Sequence, residues 1–242
     1  MSNYILFIFE GEKTEKKIVN NLTKFFISEN NTVIQCAYCN NIYKLYKDID
    51  NDEFLDTFVL LKEIDINKKI LSNFERNDFA EIYLFFDYDG HDTLANDKKV
   101  REVLNFFNEE TSAGKLLISY PMVEALKHFS DDNTFKFLKV KAKHNIHYKK
   151  IVSKEANKKL INFNSYTKED WITLLNCHLK KMNYIVNNKY KIPNNSHSQI
   201  KIFKNQVDKY INNDCTVAVL SSFPIFLFEY YGVDFINNLL LE

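Results

Sequence analysis

The sequence predicts an α/β fold: a parallel sheet flanked by helices, with a mainly helical and basic C-terminal part. Apolar runs of strand length alternate with segments whose apolar residues recur every three or four positions. Strands that alternate with helices pair in parallel through crossover connections. The 242 residues are 45% hydrophobic, which is enough for one substantial core and a smaller helical appendage.

Hydrophobic periodicity places the elements in order. Up to residue 107, it predicts a strand over 4–9, a helix over 14–28, a strand over 32–38, helical structure over 40–77, a buried strand over 80–86 and a helix through 100–107. After residue 107, the same periodicity predicts a strand over 116–120 and a short helix through Glu124 and His128. It then predicts helices over 153–161, 167–187, 196–212 and 223–240. Residues 216–220 form either a short strand or the lead into the last helix, in which Gly232 is a break.

Charge is distributed unevenly along the chain. Residues 1–135 carry 15 basic and 24 acidic side chains, whereas residues 136–242 carry 17 and 8, so a formal net charge of zero conceals two opposite halves. An acidic part can bind divalent cations, and a basic part can neutralise phosphates. We therefore expect a catalytic domain over 1–135 and a lysine-rich region over 136–242 that binds nucleic acid or a partner.

Three carboxylates follow predicted strands. Glu10 comes directly after the first strand, and Asp87 and Asp89 come after the strand over 80–86. Because ligands of such sheets bind at the carboxyl ends of the strands, folding should bring these acids together. Mg²⁺, or Mn²⁺ in its place, prefers oxygen ligands and can share them with substrate phosphates. The sequence therefore predicts a metal site suited to phosphoryl transfer.

Neighbouring acids have structural alternatives. Glu15 is a candidate metal ligand, but Glu12 and Glu15 both stand at the start of a predicted helix, where interaction with the helix dipole suffices to explain them. Asp92 is interpreted mainly as a helix cap. His91 could act as an acid on a scissile phosphate, or lie in a solvated loop.

The segments ILFIFEGEKTE (5–15) and IYLFFDYD (82–89) resemble the Toprim domain of topoisomerases, primases and OLD-type nucleases. Glu10 matches the family's glutamate after the first strand, and Asp87 and Asp89 match its Asp-x-Asp. Together with SYPMVEALKHF (119–129), EGEKTE is similar to the RloB and AbiLii group of phage-defence proteins and to AriB, the Toprim effector of the PARIS system.

This resemblance implies a magnesium-dependent nuclease that an associated ATPase holds inactive until phage infection, with transfer RNA or DNA as substrate. Glu124 matches a glutamate that follows a proline in the defence group, which implies a catalytic or metal-site role. Its alternative is an acid at a helix N-terminus after Pro121. The chain is too short for the additional domains of topoisomerases or primases, so hydrolysis is favoured over strand passage or synthesis.

Lysines are the expected contacts to nucleic acid. Residues 136–159 hold nine lysines and one acid. Lys149 and Lys150 are candidates for holding the scissile phosphate, with Lys13 as the alternative, and Lys141 and Lys143 join them as candidate nucleic-acid contacts. The adjacent aromatic side chains could stack on unpaired bases or belong to the core. They are Tyr148, His144 and His147.

Several classes of protein are disfavoured. The sequence has neither a long apolar span nor a signal peptide, which predicts a cytoplasmic protein without membrane contact. Cys36 and Cys39 form a C-x-x-C motif without a second pair, so buried thiols are favoured over zinc. Without a glycine-rich phosphate loop, the chain should not hydrolyse ATP, and any ATPase must be a partner.

Three functions compete. The first is a Toprim ribonuclease or deoxyribonuclease, and the second is a non-catalytic subunit that binds an ATPase. The third, a nucleotide-binding α/β module, is disfavoured by the missing loop. The apolar C-terminal segment should belong to the core, although it could instead dock that partner or a second copy in a homodimer.

Overall fold

The computed structural model describes residues 3–27, 32–51, 55–88, 96–142 and 147–241. The chain divides into two compact units. The first comprises Met1–Phe86 and Leu94–Leu117, and the second comprises Asp87–Thr93 and Ile118–Glu242. The functional division expected between residues 135 and 136 stays a prediction.

A five-stranded sheet forms in the N-terminal part of the chain. The elements there are β1 (Asn3–Phe9), α1 (Thr14–Phe25), β2 (Thr32–Tyr38), α2 (Ile42–Asp50), α3 (Thr57–Glu63), α4 (Asp65–Leu71), a 3-10 helix (Arg76–Asp78), β3 (Phe79–Asp87), α5 (Asp97–Phe106), β4 (Asn108–Glu109) and β5 (Gly114–Ser119). The strand order is β2-β1-β3-β5-β4. The mostly parallel sheet flanked by helices confirms the α/β class.

The central strand β1 fixes the register of the sheet. It pairs in parallel with β2 on one side and β3 on the other, and Phe9 faces Tyr38 and Phe85 in the two pairings. Residues 6–9 of β1 are fully buried, as expected for a strand covered on both faces. The predicted β2 has the observed bounds, and predicted β1 and β3 are each within one residue of the observed ends.

Local capping explains why the helical stretch predicted over 40–77 consists of separate helices. Asn41 accepts a hydrogen bond from the amide of Lys44 at 2.9 Å and begins α2, and Asp56 accepts one from the amide of Val59 at 2.7 Å and begins α3. The buried Asn67 side chain in α4 bonds the amide and the carbonyl of Tyr38, which ties α4 to the end of β2.

Gly114 begins β5 in a conformation that suits glycine alone. Its φ is +115°, and an added Cβ would lie 2.5 Å from Leu84 Cδ1 and 3.0 Å from Ile82 Cγ2. The two-residue strand β4 pairs antiparallel with β5 at this point.

The second unit is mainly helical. Its elements are a 3-10 helix (Val123–Lys127), α6 (Asp132–Phe137), β6 (Lys139–Lys141), α7 (Tyr148–Glu155), 3-10 helices at Lys158–Leu160 and Phe163–Ser165, α8 (Lys168–Asn187), α9 (Gln199–Gln206), a π-helical turn (Val207–Ile211), α10 (Asn212–Asp214), β7 (Thr216–Ala218) and α11 (Ser222–Leu241). Helix α8 begins with a capping box of Thr167 and Asp170. It carries the fully buried Trp171 and packs against α6, α9 and α11.

Several predicted boundaries in this unit require correction. The helix expected over 153–161 lies at Tyr148–Glu155, because Tyr148 and Val152 supply its buried face and Ala156 is already extended. The helix expected over 196–212 starts at Gln199 and changes to a π-helical turn after Gln206. Of the two interpretations of 216–220, the strand is observed, since β7 pairs antiparallel with β6.

The break expected at Gly232 is observed. Its φ of 79° and ψ of 171° interrupt α11, and among the described residues no atom outside the helix's own backbone lies within 4 Å of an added Cβ. In the described ranges, no helix combines the length and apolar character that crossing a bilayer requires.

Candidate active site

Glu10 and Asp87 stand at the ends of neighbouring strands. Glu10 directly follows β1, and Asp87 is the last residue of β3. The two strands are parallel, with Phe9 paired to Phe85, so both finish at one edge of the sheet. Both side chains are half-buried. The third expected ligand, Asp89, lies outside the described residues, as do Asp92 and His91.

Glu15 lies against the loop that follows β1. It is 7% exposed, in the first turn of α1. An added Cβ at Gly11 would lie 3.1 Å from Glu15 Oε2, so the absence of a side chain at Gly11 leaves room for this carboxylate. The position agrees with both interpretations of Glu15, a favourable partner of the helix dipole and a metal ligand.

Glu124 is a buried acid in the second unit. It belongs to the 3-10 helix that follows Pro121 and is 4% exposed. Its Oε1 lies 3.5 Å from Lys149 Nζ. Its Oε2 is buried and has no hydrogen-bond partner among the residues that the structure describes. Burial of a half-satisfied carboxylate costs free energy unless a cation compensates it.

Lys149 partners this carboxylate from the first turn of α7. Its side chain is 67% exposed, whereas that of Glu124 is 6% exposed. One end of the pair is therefore anchored, and the ammonium is available to solvent. Glu124 and Lys149, predicted separately on different grounds, come together in one unit.

A hydrogen-bonded chain beside this pair was missed by sequence reasoning. His128 Nε2 lies 3.1 Å from Glu155 Oε2, and His128 Nδ1 lies 3.0 Å from the Tyr148 hydroxyl. Since a carboxylate only accepts, His128 donates through Nε2 and accepts the Tyr148 proton through Nδ1. Burial lowers the pKa of His128, against the opposing effect of Glu155, which favours the neutral ring that this arrangement requires.

Tyr148, at one end of these hydrogen bonds, interacts electrostatically with the candidate carboxylates. Burial, followed by the negative charges of Glu124, Asp87 and Glu155, raises the pKa of the Tyr148 phenol well above its usual value. Asp87 and Glu124 therefore both lie within electrostatic range of one buried hydroxyl. Tyr148 is 2% exposed, so it belongs to the core and does not stack on bases, the second of the two roles considered for it.

The remaining predicted lysines are distributed over different elements. Lys150 is exposed in α7, Lys141 is exposed in β6, and Lys13 is exposed before α1. Lys143 and His144 lie outside the described residues. His147 is exposed at the start of α7.

Of the two C-x-x-C thiols, Cys36 is half-buried and Cys39 is buried. Burial raises the pKa of Cys36 to about 11 and also raises the pKa of Cys39. Within the described ranges, no group of three or more His, Cys, Asp and Glu side chains could hold a metal ion. Asp89 lies outside these ranges.

Comparison of the chain with protein-family models, with curated proteins and with solved structures gave no match.

Proposed function

We propose that this protein is a Mg²⁺-dependent nuclease of the Toprim kind, which cleaves RNA, in particular transfer RNA, as an antiphage effector. The observation that carries the proposal is Glu124: a buried carboxylate with one oxygen unpartnered among the described residues, in the same unit as Asp87, and with a solvent-exposed lysine on its other oxygen. A buried carboxylate paired with an exposed lysine is the combination expected beside a site that binds a cation and a phosphate.

The proposed ligand set fits Mg²⁺ chemically. Glu10, Asp87 and Asp89 would hold the ion, with Glu15 as a further candidate, because Mg²⁺ takes oxygen ligands in an octahedron that includes water. A bound Mg²⁺ stabilises charge on a phosphate and lowers the pKa of water. Glu124 supplies the negative charge that stabilises a cation nearby.

The protein's own groups have separate roles in this proposal. Lys149 Nζ, held at 3.5 Å by Glu124, positions and neutralises the scissile phosphate. The His128–Tyr148 hydrogen bond fixes α7 behind Lys149, because Tyr148 is its immediate neighbour in the first turn. The basic side chains of residues 136–242 attract the polymer, since counterion release from phosphates favours binding.

Substitution of the ligands tests the proposal. Glu10→Gln and Asp87→Asn should each reduce Mg²⁺-dependent cleavage at least about 100-fold, since each removes a negative charge from the ion. Cleavage is measured on purified total transfer RNA, with EDTA and with Mn²⁺ in parallel. Glu12→Gln is the matched control, because Glu12 is an exposed acid in the same loop. Circular dichroism should show that all three variants fold. Wild-type cleavage by either ligand variant refutes the site.

Expression in cells identifies the substrate and the regulator. The chain is expressed with and without an ATPase encoded beside its gene, and the ends of cellular RNA and DNA are sequenced. The proposal is supported if the wild type alone produces new RNA ends, and if these ends are absent both in the Asp87→Asn variant and when the ATPase is co-expressed. New ends in DNA alone would support a DNA endonuclease of the OLD type. The absence of new ends, combined with co-purification of the ATPase, would support a non-catalytic subunit.

A further inference from the structure

An exposed aromatic cluster surrounds one lysine in the second unit. It is formed by Lys136 and Phe137 at the end of α6, Tyr184 in α8 and Tyr190 after α8, and we call these four residues the Phe137 surface. Phe137 is 65% exposed, more than any other large aromatic side chain among the described residues. None of the four belongs to the proposed metal-ligand set or to the Glu124–Lys149 pair.

Lys136 is held by all three rings. Its Nζ lies 4.8 Å from the ring centroid of Phe137, 5.0 Å from that of Tyr184 and 5.5 Å from that of Tyr190. Each distance is within the range of a cation–π contact. Within the described ranges, Lys136 has no carboxylate partner in an ion pair. Its charge therefore remains available to an anion from outside the chain.

The three rings pack against one another. Phe137 and Tyr184 meet edge to face at 5.9 Å, and Tyr184 and Tyr190 do so at 6.2 Å. The Tyr190 hydroxyl donates to Asp132 Oδ1 at 2.6 Å, which ties the segment after α8 to the start of α6. These contacts restrict the rings, which lowers the entropic cost of binding on this surface.

Three features of this surface suit an unpaired nucleotide. A solvent-facing ring accepts a base by stacking regardless of its sequence, a cation beside it pairs with the phosphate, and the rigid edge-to-face rings keep the platform open. Two other lysines of this unit are paired with acids, Lys180 with Asp132 at 3.4 Å and Lys139 with Asp214. Lys136 has no such partner among the described residues and can therefore exchange its aromatic contacts for a phosphate.

We propose that the Phe137 surface binds single-stranded nucleic acid, with a base stacked on Phe137 and the adjacent phosphate paired with Lys136. The inference rests on the proposed nuclease function for the class of polymer, but it concerns binding and needs neither metal nor cleavage. Sequence preference should be weak, because stacking and phosphate pairing read no base edge.

Filter binding of radiolabelled single strands of mixed sequence tests this surface. The full-length protein is titrated in EDTA, so that cleavage cannot interfere. Phe137→Ala should weaken binding about 5- to 150-fold, the range expected when one stacked base loses its aromatic partner. Phe137→Trp should retain binding, because it preserves the ring. Lys136→Ala should also weaken binding, but less so as salt is raised.

Phe235→Ala is the matched control. Phe235 is likewise an exposed aromatic, at 42%, but it stacks on Tyr231 in α11, and no lysine lies over its ring among the described residues. The Phe235→Ala variant should bind single strands as tightly as the wild type does. A fully paired duplex of the same sequence should show no dependence on Phe137, since its bases are not free to stack.

The outcomes separate this proposal from the nuclease proposal. Normal binding by Phe137→Ala, or no binding of single strands by the wild type, overturns the surface whatever the cleavage result. If binding depends on Phe137 but no Mg²⁺-dependent cleavage is found, the binding proposal stands and the nuclease proposal is refuted. If Phe137→Ala changes the oligomeric state in light scattering and not strand binding, the surface serves self-association and the proposal is wrong.

Discussion

Lys149 differs from its neighbour Lys150 in one respect that can be measured. Both are exposed in the first turn of α7, but only Lys149 lies on the buried Glu124, at 3.5 Å. Loss of Lys149 would leave the buried Glu124 carboxylate without this cation, which costs more than breaking an ion pair between exposed side chains. We interpret the pair as an arrangement that also orients the ammonium group.

Substitution of these two lysines gives the first prediction. Lys149→Ala should lower Mg²⁺-dependent cleavage by about 10-fold or more, because an oriented cation at the phosphate is lost. It should also lower the free energy of unfolding by about 1–3 kcal/mol, because the buried Glu124 carboxylate loses its partner. Lys150→Ala should change cleavage far less. Rates under single-turnover conditions and urea unfolding provide the two measurements. Equal effects of the two substitutions would contradict the assigned role.

The residues of this cluster were predictable only in part. Glu124 was predicted from the resemblance carried by SYPMVEALKHF, and Lys149 from the lysine run in which it stands. Their contact could not be predicted, because it depends on the start of α7, which sequence periodicity placed five residues too late. The His128–Glu155 bond was missed for the same reason. The available signal was a histidine within the apolar segment SYPMVEALKHF.

At the scale of elements, helix α8 contains a histidine that should make folding sensitive to pH. His178 is fully buried, and its Nδ1 accepts a hydrogen bond from the Ser221 amide at 3.1 Å. Burial, with a contribution from the charge of Lys181, lowers its pKa from 6.5 to about 3. Between these two values, the unfolded chain binds a proton that the folded chain does not, so stability falls as the pH falls below 6.5.

Replacing His178 should reduce that pH dependence. From pH 7 to pH 5, the wild type should lose about 2 kcal/mol through this residue. His178→Asn places an oxygen near the Nδ1 position and cannot be protonated, so the variant should lack this loss. His147→Asn, a change at an exposed histidine, should retain it. Urea unfolding at both pH values, followed by circular dichroism, gives the comparison, and an unchanged pH dependence in His178→Asn would contradict the mechanism.

Substitution of Gly114 in β5 and Gly232 in α11 should measure how much each backbone conformation depends on glycine. Gly232→Ala should destabilise the protein by about 1–3 kcal/mol, since its φ of 79° and ψ of 171° lie in a region that only glycine readily occupies. Gly114→Ala should cost more, because the new Cβ would also lie 2.5 Å from Leu84 Cδ1. Thermal unfolding of both variants measures the difference. A smaller loss in Gly114→Ala than in Gly232→Ala would show that β5 relaxes easily.

The length and burial of an element determine how well its sequence predicts it. Strands β1, β2 and β3 are seven, seven and nine residues long and apolar, and their predicted bounds are correct within one residue. Strands β4 and β6 have two and three residues and mostly exposed side chains. Such strands carry no periodicity, and pairing with a distant partner alone creates them. They could not have been predicted.

At the scale of the whole molecule, the opposite charges of the two regions of sequence imply salt-dependent binding. Residues 136–242 carry 17 basic and 8 acidic side chains, and each phosphate neutralised on a single strand contributes about −0.7 to the slope of log K against log salt concentration. If about four phosphates are contacted, that slope should be about −3. Lys136→Ala should make it shallower by about 0.7. A slope near zero in filter binding would contradict phosphate recognition.

Trp171 gives the second unit an optical signal of its own. It is the only tryptophan in the sequence, it is fully buried in α8, and its ring lies 5.8 Å from that of Tyr166. Selectively excited tryptophan emission should therefore shift to longer wavelength only when the surroundings of α8 become hydrated. Set beside a backbone signal, which averages over the whole chain, this emission can show whether the helical unit loses its core at the same denaturant concentration as the sheet.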